Sequence, residues 1–353
     1  MKTPLFFVDR PVFGFDIGHS TIKVIQLSKS RQSISVEGYG TIDFNPNAVV
    51  KGELINIEEL ARQTYKLFSS GLTGKIETKR VAASLPVSFT YSRAVALPPM
   101  EERDLKEAIR LEIEQSIPVS YDELYVDYEL ARNAKDGSFE VLIAAAPKRI
   151  VDSYLVLLNA LGLEVVLLEM TINSVARTIS HADNTETPTL IIDFGSISSD
   201  LAVYDRTIRV TGTADWGGET LTKEISNALK VNQRQAQTIK TRYGLDASKK
   251  QLEITKALKP VLGRLINEIK RMSRFYAERA GPDKAITQIV IVGGGANLPG
   301  LSAYLTDNLR IPTRLVDPWR NIDFGRLQPP HKLERSLYST AAGLSLIESG
   351  PQP

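Results

Sequence analysis

The sequence predicts an α/β protein of two similar lobes, with a small α+β subdomain inserted in the first lobe. Three observations lead to this fold class: an Asp-x-Gly turn that occurs twice between apolar strands, a glycine triplet that follows another apolar strand, and a segment of different texture within the first half of the chain. A chain of 353 residues, 42% of them hydrophobic, is long enough to bury the cores of about two or three domains.

The first Asp-x-Gly turn places Asp16 at the end of one apolar strand and Gly18 before the next. Glycine permits a positive φ angle and lets backbone N–H groups approach an anion, and the hydroxyls of Ser20 and Thr21 add donors. A carboxylate at a strand end suits a divalent cation that keeps most of its water. Lys23, seven residues after Asp16, is either a positive charge for the same anion or an exposed strand lysine.

The second turn repeats this pattern with Asp193 and Gly195, followed by Ser196 and Ser198. Seven residues after the aspartate stands Asp200 instead of a lysine. A single Asp-x-Gly is typical of an ordinary hairpin turn. Two copies in the same strand context favour a site in which two hairpins grip one nucleotide from both sides.

A third cluster, Gly293-Gly294-Gly295, follows the apolar residues 289–292 and is itself followed by Asn297. Consecutive glycines leave the backbone open to the close approach of a flat ligand, and we expect the next helix to begin near Pro299. Alone, such a loop is also typical of a tight connection. In their order along the chain, the two hairpins and the glycine loop resemble the phosphate-1, phosphate-2 and adenosine motifs of the actin-like ATPase superfamily.

Within that superfamily, whole segments are similar to the PilM family of type IV pilus assembly proteins. The similar segments, which lie between about residues 12 and 346, are 52–55, 144–154, 217–222 and 293–300 with 311–312. The resemblance implies an actin-like two-lobed ATPase fold of duplicated RNase H-like lobes that binds ATP and Mg²⁺ in the cleft between them. The implied lobes are residues 12–86 with 148–184, and 187–348, with the inserted subdomain at 87–147.

The resemblance also assigns roles to residues. Asp16 and Asp193 would face Mg²⁺ through water, and His19 either donates to the terminal phosphate or points away. The residues implied to contact phosphates are Gly18, Ser20, Thr21, Lys23, Gly195, Ser196 and Ser198, and those implied to lie near the nucleoside are Gly217, Gly218, Glu268, Arg271, Gly293, Gly294, Gly295 and Asn297.

Three of these implied roles have plain structural alternatives. Glu169 either orients a water for hydrolysis or is a carboxylate at a helix N-terminus. Glu268 and Arg271, three apart on a predicted helix, are either an adenosine-contacting pair or an ordinary ion pair. Gly217 with Gly218 either approaches the ribose or is only a loop.

The predicted helices and strands follow from the spacing of apolar residues and from the glycines and prolines that interrupt it. The pattern predicts a helix over 57–69, and in the insertion a strand over 89–97, a helix over 101–116 and two strands around a turn at 135–137. The polar run 181–188 indicates a linker between the lobes.

Composition excludes several classes of function. The absence of cysteine rules out disulfides and thiolate sites, and three scattered histidines give no metal-ligand spacing. The net charge of +2 does not favour nucleic acid, and the basic positions between 259 and 279 indicate a solvated helix face rather than a phosphate or membrane surface. No apolar segment is long enough for a signal peptide core or a bilayer span, which predicts a cytoplasmic product.

The family resemblance implies a cytoplasmic scaffold of pilus assembly with at most slow ATPase activity. Its implied partners are the N-terminal cytoplasmic peptide of the inner-membrane protein PilN, the inner-membrane pilus alignment complex and copies of itself, which would hold it at the inner face of the membrane. A groove beside the inserted subdomain would capture the peptide. The alternatives are an FtsA-like cell-division protein and a small-molecule kinase of the same superfamily.

Overall fold

The computed structural model describes residues 10–30, 33–133, 138–183, 187–281 and 284–347. Its strands are β1 (Phe13–Ile17), β2 (Thr21–Lys29), β3 (Ile34–Asp43), β4 (Val49–Val50), β5 (Glu53–Leu54), β6 (Leu72–Gly74), β7 (Arg80–Leu85), β8 (Tyr91–Leu97), β9 (Leu124–Asn133), β10 (Phe139–Pro147), β11 (Glu164–Met170), β12 (Thr189–Phe194), β13 (Ser199–Asp205), β14 (Thr207–Ala214), β15 (Gln288–Val292), β16 (Thr313–Leu315) and β17 (Ile322–Asp323). Its helices are α1 (Ile57–Lys66), α2 (Glu102–Ser116), α3 (Lys148–Ala160), α4 (Thr171–Asp183), α5 (Gly218–Leu229), α6 (Gln233–Arg242), α7 (Gln251–Ala280), α8 (Leu301–Leu309) and α9 (Ser339–Ser345).

Two sheets share one topology, which is the duplication that the sequence predicts. In the first, β1, β2 and β3 form an antiparallel meander, and β7 and then β11 add in parallel beside β1. In the second, β12, β13 and β14 form the meander, and β15 and then β16 add in parallel beside β12. Each Asp-x-Gly turn therefore joins the first two strands of a meander.

The central strands are apolar on both faces because helices cover both sides of each sheet. In β12, Leu190, Ile192 and Phe194 pack into a core that includes α5 and α7, whereas Ile191 packs against α4 on the opposite face. The strand is therefore a continuous apolar run rather than an alternating one. Burial on both faces fixes the position of Asp193 at its end.

Helices α4 and α9 lie between the two sheets. The α4 residues Ile172 and Val175 pack on the second sheet, and α9 packs on β1 and β2 of the first. Two glycines allow this close packing, because a Cβ at Gly14 would overlap the backbone of Ala341, and one at Gly343 would overlap the backbone of Ser174. The two lobes therefore meet through a pair of tightly packed helices.

The C-terminal segment differs from the predicted lobe boundary. The sequence places residues 187–348 in the second lobe, but β17 pairs with β3 of the first sheet. Helix α9 also packs on that sheet, with Ala341 and Ala342 in a core that contains Ile25 and Tyr39. The chain therefore returns to the first lobe after residue 316, which short apolar segments without a periodic pattern do not signal.

The inserted subdomain is a three-stranded sheet in the order β8-β10-β9, covered on one face by α2. Leu105, Ile109 and Ile113 of α2 are buried against it, as their four-residue spacing predicts. Strand β8 begins at Tyr91 rather than at residue 89, because residues 87–89 form a 3₁₀ turn after Pro86. The predicted turn at 135–137 lies outside the described residues.

Two helix ends also differ from the sequence pattern. Helix α1 ends at Lys66 rather than at residue 69, where a wider π-type turn follows. Helix α4 continues to Asp183 into the predicted linker, because Ala182 is buried and Asp183 pairs with Arg314 and Arg320. Within the described ranges, no helix combines the length and the apolar character that crossing a membrane requires.

Candidate nucleotide-binding site

The first hairpin holds a buried ion pair. Asp16 and Lys23 face each other across β1 and β2, and the Lys23 Nζ lies 3.1 Å from the Asp16 Oδ2. Both residues are about 5–6% exposed, so the alternative of an exposed strand lysine does not hold. Ser84 of β7, which sequence reasoning missed, donates its hydroxyl to the other carboxylate oxygen at 2.8 Å.

The turn itself is small and partly open to solvent. Gly18 donates its N–H to the carbonyl of Thr21 at 2.9 Å, and the carbonyl of Ser20 accepts from the N–H of Phe44. The side chains of His19, Ser20 and Thr21 are partly exposed. A Cβ at Gly18 would stand 3.2 Å from the Lys23 Nζ, so glycine keeps the approach to the ammonium open.

The second hairpin has the same register but carries two carboxylates. Asp193 faces Asp200 across β12 and β13. Burial, and then the charges of Asp200 and Asp16, raise the pKa of Asp193 to about 7, while the nearby Lys23 charge opposes this rise. Burial raises the pKa of Asp200 to about 6, and Thr213 lowers it by donating a hydrogen bond at 2.6 Å.

These interactions bring the two hairpins together. Because the charges of Asp16 and Lys23 act on Asp193, the first turn lies within electrostatic range of the second although the two aspartates are 177 positions apart in the sequence. Protein atoms surround Asp193 closely, but part of its surface remains accessible to solvent. The two turns therefore lie near enough for their charges to interact.

The turn of the second hairpin is braced by the start of α5. Gly218 and Glu219 donate their N–H groups to the carbonyls of Gly195 and Ser196 at 2.9 and 2.8 Å, and the Ser196 hydroxyl donates to the Glu219 carboxylate at 2.6 Å. A Cβ at Gly217 would stand 2.6 Å from the carbonyl oxygens of Gly195 and Ser196. Gly217 is thus required for this close packing.

Gln237 and Lys240 of α6 lie beside the start of α5, and sequence reasoning did not single them out. The buried Lys240 donates to the carbonyl of Gly218 and to the hydroxyl of Thr222, both at 2.8 Å, and that hydroxyl also lies 2.8 Å from the Gln237 amide oxygen. Burial lowers the pKa of Lys240 to about 8, and the Glu219 charge opposes this effect. No local sequence signal marks Lys240, because its contact with Gly218 joins two different helices.

Glu268 and Arg271 lie on α7. They pair with each other, with 3.0 Å between the Arg271 Nε and the Glu268 Oε2. Glu268 lies beside Gly212 of β14, one residue before the Thr213 that bonds Asp200, and the Arg271 side chain is exposed. The contact with the nucleoside that the resemblance implies stays a prediction.

The glycine loop lies directly against the second hairpin. Gly293 has a φ of +83°, and a Cβ there would overlap the Asp193 carboxylate and the Phe194 backbone. A Cβ at Gly295 would overlap the ring of Phe194. Gly294 is in contact distance of Leu337, so the loop fits tightly between the hairpin and the 333–338 segment.

Asn297 anchors this loop from behind. Its side-chain amide donates to the Leu333 carbonyl and to the Ser336 hydroxyl at 2.9 and 2.7 Å. The Ser336 hydroxyl donates in turn to the carbonyl of Gly293 at 3.0 Å. The structure therefore gives Asn297 a role in holding the loop. Helix α8 begins at Leu301, close to the predicted start near Pro299.

Glu169 is held by a cation. Arg177 of α4 donates to both of its carboxylate oxygens at 2.6 and 2.9 Å and also to the carbonyl of Gly343 in α9. The Glu169 side chain is about 10% exposed. A carboxylate with both oxygens engaged in this way joins β11, α4 and α9.

The residues present fit a magnesium–nucleotide ligand. Asp193 and Asp200 are two close carboxylates, and the described contacts give neither of them a cationic partner in an ion pair. Gly293 packs against Asp193, and a side chain at this position would overlap the carboxylate. Among the described residues no cluster of three or more protein metal ligands occurs.

Solved structures show that the chain has the actin-like ATPase fold. One similar structure is MreB5 of Spiroplasma citri bound to ADP, with a TM-score of 0.52, 14% identity, and coverage of 95% of this chain and 94% of that one. Another is the ethanolamine utilization protein EutJ from Carboxydothermus hydrogenoformans, with a TM-score of 0.54, 16% identity, and coverage of 96% and 92%. The duplicated sheets and the facing turns belong to this class.

The chain belongs to the PilM family, because the family model for the type IV pilus assembly protein PilM matches residues 14–349. A solved PilM-PilN type IV pilus biogenesis complex is similar, with a TM-score of 0.82, 22% identity, and coverage of 98% of this chain and all of that one. The cell division protein FtsA of Bacillus subtilis (strain 168) is 20% identical, with coverage of 86% of this chain and 78% of the relative. This family match sets aside the FtsA-like alternative.

Proposed function

We propose that the protein binds Mg²⁺-ATP between its lobes and acts as a cytoplasmic scaffold of type IV pilus assembly that captures the N-terminal segment of a PilN protein. The observation that carries the nucleotide proposal is the convergence of Asp16, Lys23 and Asp193, since their charges act on one another across the lobes. Membership of the PilM family supports the pilus role.

Within this site, the turns of the two hairpins would hold the phosphates through backbone N–H groups and hydroxyls. Asp193, with Asp16 opposite, would face the cation through water, and Lys23 would neutralise phosphate charge. Gln237 and Lys240 lie at the junction of Gly218 and the glycine loop, where we place the nucleoside. The bound cation would supply charge neutralisation to the phosphates and favour the ionised form of Asp193.

Slow hydrolysis, or none, fits the position of Glu169. Phosphoryl transfer to water depends on a group that orients the attacking water. Arg177 engages both oxygens of the Glu169 carboxylate, which leaves this residue a structural role in the observed arrangement. We therefore propose that nucleotide stabilises the protein and tunes its contacts.

The partner surface that we propose is the β9 edge of the inserted subdomain, on the side of α3. Strand β9 is an outer strand of its sheet, and it exposes Tyr125 on one face and Tyr128 and Leu130 on the other. Tyr125 donates its hydroxyl to Asp152 of α3 at 3.0 Å, so α3 forms the adjoining wall. An extended segment of PilN would pair with the edge and place apolar side chains on this surface.

Capture with a synthetic peptide tests partner and cofactor together. The peptide carries the N-terminal residues of a PilN protein from the same organism, and retention is measured with and without Mg²⁺-ATP. We expect Tyr128→Lys to weaken retention and Leu111→Lys, at another exposed apolar position, on α2, to leave it unchanged. Equal retention by both variants would refute the β9 surface.

A thermal melt tests the cofactor alone. Saturation at ~1,000 times the dissociation constant stabilises a protein by about 4 kcal/mol. A melting temperature that does not move with Mg²⁺-ATP would contradict the nucleotide proposal and leave the β9 surface standing.

A further inference from the structure

A cavity of about 270 Å³ lies beside the C-terminal end of α2, where the inserted subdomain meets the second lobe. Ile143 and Ala145 of the central strand β10 form its floor, so it lies over the sheet face that α2 covers. Ile113 and Ile117 enclose it from the side of α2. Among the described residues, neither those of the two hairpin turns nor those of β9 line it, so the proposed function leaves this cavity without a role.

Strand β8 contributes side chains to the same wall. Arg93 stands opposite Ile143 in the antiparallel ladder, and residues directly opposite each other point to the same face of a sheet. The Arg93 guanidinium accordingly reaches α2, where it donates to the Ser116 hydroxyl at 2.9 Å and lies 3.2 Å from the Glu112 carboxylate. The charge of Arg93 is therefore neutralised within the wall.

The second lobe closes the cavity on the remaining side. Strand β14 lies beside β8, and its residues 209–211 line the cavity together with Phe275 and Arg279 of α7. Arg209 pairs with Glu140 of β10, so its charge is neutralised as well. Because β8 and β14 already lie side by side, the cavity has room for a small molecule rather than for another strand.

The volume limits the size of the occupant. An apolar cavity of about 150 Å³ accommodates benzene, and pockets for drug-sized ligands have volumes of about 300–1,000 Å³. A volume of about 270 Å³ therefore fits a single ring with a short side chain, on the order of ten non-hydrogen atoms. Nucleotides and acyl lipids are larger than this space.

Arg279 lies in the last turn of α7 and is exposed at the solvent side of the cavity. Among the described residues no carboxylate pairs with it, in contrast to Arg93 and Arg209. Its guanidinium lies over the Phe275 ring, 3.5 Å from the ring centroid. A guanidinium stacked in this way keeps its N–H donors free along its own plane, which suits the two oxygens of a carboxylate.

We propose that the cavity binds a small aromatic carboxylate, with the ring against Ile113 and Ile143 and the carboxylate on Arg279. The apolar floor disfavours a fully polar ligand, and an arginine that no carboxylate of the described residues neutralises selects an anion over a neutral molecule. The site goes beyond the proposed function, because neither Mg²⁺-ATP nor the PilN segment occupies it. A bound molecule contacts the inserted subdomain and the second lobe at once and should strengthen their contact.

Ligand-observed NMR on the full-length protein tests the ligand class. The probes are benzoate, phenylacetate and 3-phenylpropanoate, each compared with its neutral amide of the same shape. We expect at least one acid to bind with a dissociation constant of about 1 mM or tighter, and at least about tenfold more tightly than its amide. Failure of all three acids to bind, or equal binding of acids and amides, overturns the proposal. Displacement of the acid by Mg²⁺-ATP would place it in the nucleotide site and overturns the proposal as well.

The acid that binds most tightly is then titrated against two variants. Arg279→Gln removes the cation and should weaken binding of the acid by about tenfold or more, while binding of the amide stays unchanged. Arg274→Gln is the matched control, because Arg274 is exposed on the same helix and does not line the cavity, and it should change neither affinity. Equal effects of the two variants overturn the proposal.

Isoleucine methyl signals locate the bound ring without a change of charge. Ile113→Val and Ile143→Val assign the signals of the two cavity residues, and Ile191→Val assigns a distant reference that is buried in the second-lobe sheet. We expect the acid to shift the Ile113 and Ile143 signals and to leave that of Ile191 unmoved. Shifts confined to isoleucines outside the cavity contradict the proposal.

Discussion

The two hairpins share topology and register but differ in the charge that faces each aspartate. In the first, Lys23 stands across from Asp16, and the pair is buried and joined at 3.1 Å. In the second, Asp200 stands across from Asp193, and both carboxylates have raised pKa values. Asp16 therefore has a cationic partner in the first hairpin, whereas the described residues form no ion pair with Asp193 in the second.

The difference shows how duplication separates stability from binding. A buried ion pair with an additional hydrogen bond from Ser84 holds the first turn in place. Two close carboxylates cost free energy until a cation reaches them, so the second turn gains most from a ligand that carries one. Substitutions at equivalent positions of the two hairpins should therefore have unequal effects.

The largest effect is expected when the ion pair is cut. Asp16→Ala leaves the Lys23 ammonium buried without its partner, which costs about 3–5 kcal/mol of unfolding free energy. Asp193→Ala, at the equivalent position, removes a like-charge contact and should cost far less. Urea unfolding of both variants without nucleotide measures the difference. Equal losses would show that the two hairpins do not differ in this way.

The next effect concerns the close approach of the glycine loop. Gly293→Ala combines a positive φ with overlap on the Asp193 carboxylate, and we expect a loss of about 1–3 kcal/mol. Gly162→Ala is the control, because Gly162 has a φ of +70° but open space around it, and its loss should be smaller. Thermal unfolding of both variants measures the two losses. Identical losses would show that the overlap with Asp193 contributes nothing beyond the backbone strain that both positions share.

A smaller effect is expected at Glu169, where a loss of stability can be measured separately from a loss of ATP hydrolysis. Glu169→Gln weakens the bidentate pair with Arg177, and we expect a loss of about 1–2 kcal/mol with little change in any ATP hydrolysis rate. Arg177→Gln should cost more stability, because it also removes the contact with the Gly343 carbonyl and leaves the Glu169 carboxylate without its cation. A large fall in hydrolysis without loss of stability would restore the water-orienting role.

A last effect, spread over several pH units, is the dependence of stability on pH without nucleotide. The pKa of Asp193 is about 7 in the folded protein and 3.8 as the reference value, so the folded state binds the extra proton between these values. Unfolding free energy contributed by this group is therefore complete below about pH 4 and is lost as pH rises towards 7. Asp193→Asn should flatten the profile, and an unchanged profile would contradict the raised pKa.

The sequence predicts most of the fold because strong local signals carry it. Two Asp-x-Gly turns between apolar runs give the meanders, and the four-residue spacing of Leu105, Ile109 and Ile113 gives α2. The return of β17 and α9 to the first sheet escapes prediction, since it depends on long-range packing of short segments.

The site is predicted unevenly for the same reason. Turn residues are visible because they must be glycine: Gly293 has a positive φ, and a Cβ at Gly195 would overlap the carbonyl of Ser198. Lys240 is not, since its role comes from a tertiary approach to Gly218 across two helices. The choice of Glu268 and Arg271 followed a spacing that many surface ion pairs also show.

Titration calorimetry of ATP with and without Mg²⁺ tests the central claim, that one Mg²⁺-nucleotide lies between the two turns. We predict that wild type binds Mg²⁺-ATP at least about tenfold more tightly than ATP in EDTA, and that Asp193→Asn abolishes this magnesium dependence. The same magnesium dependence in wild type and Asp193→Asn would contradict the account.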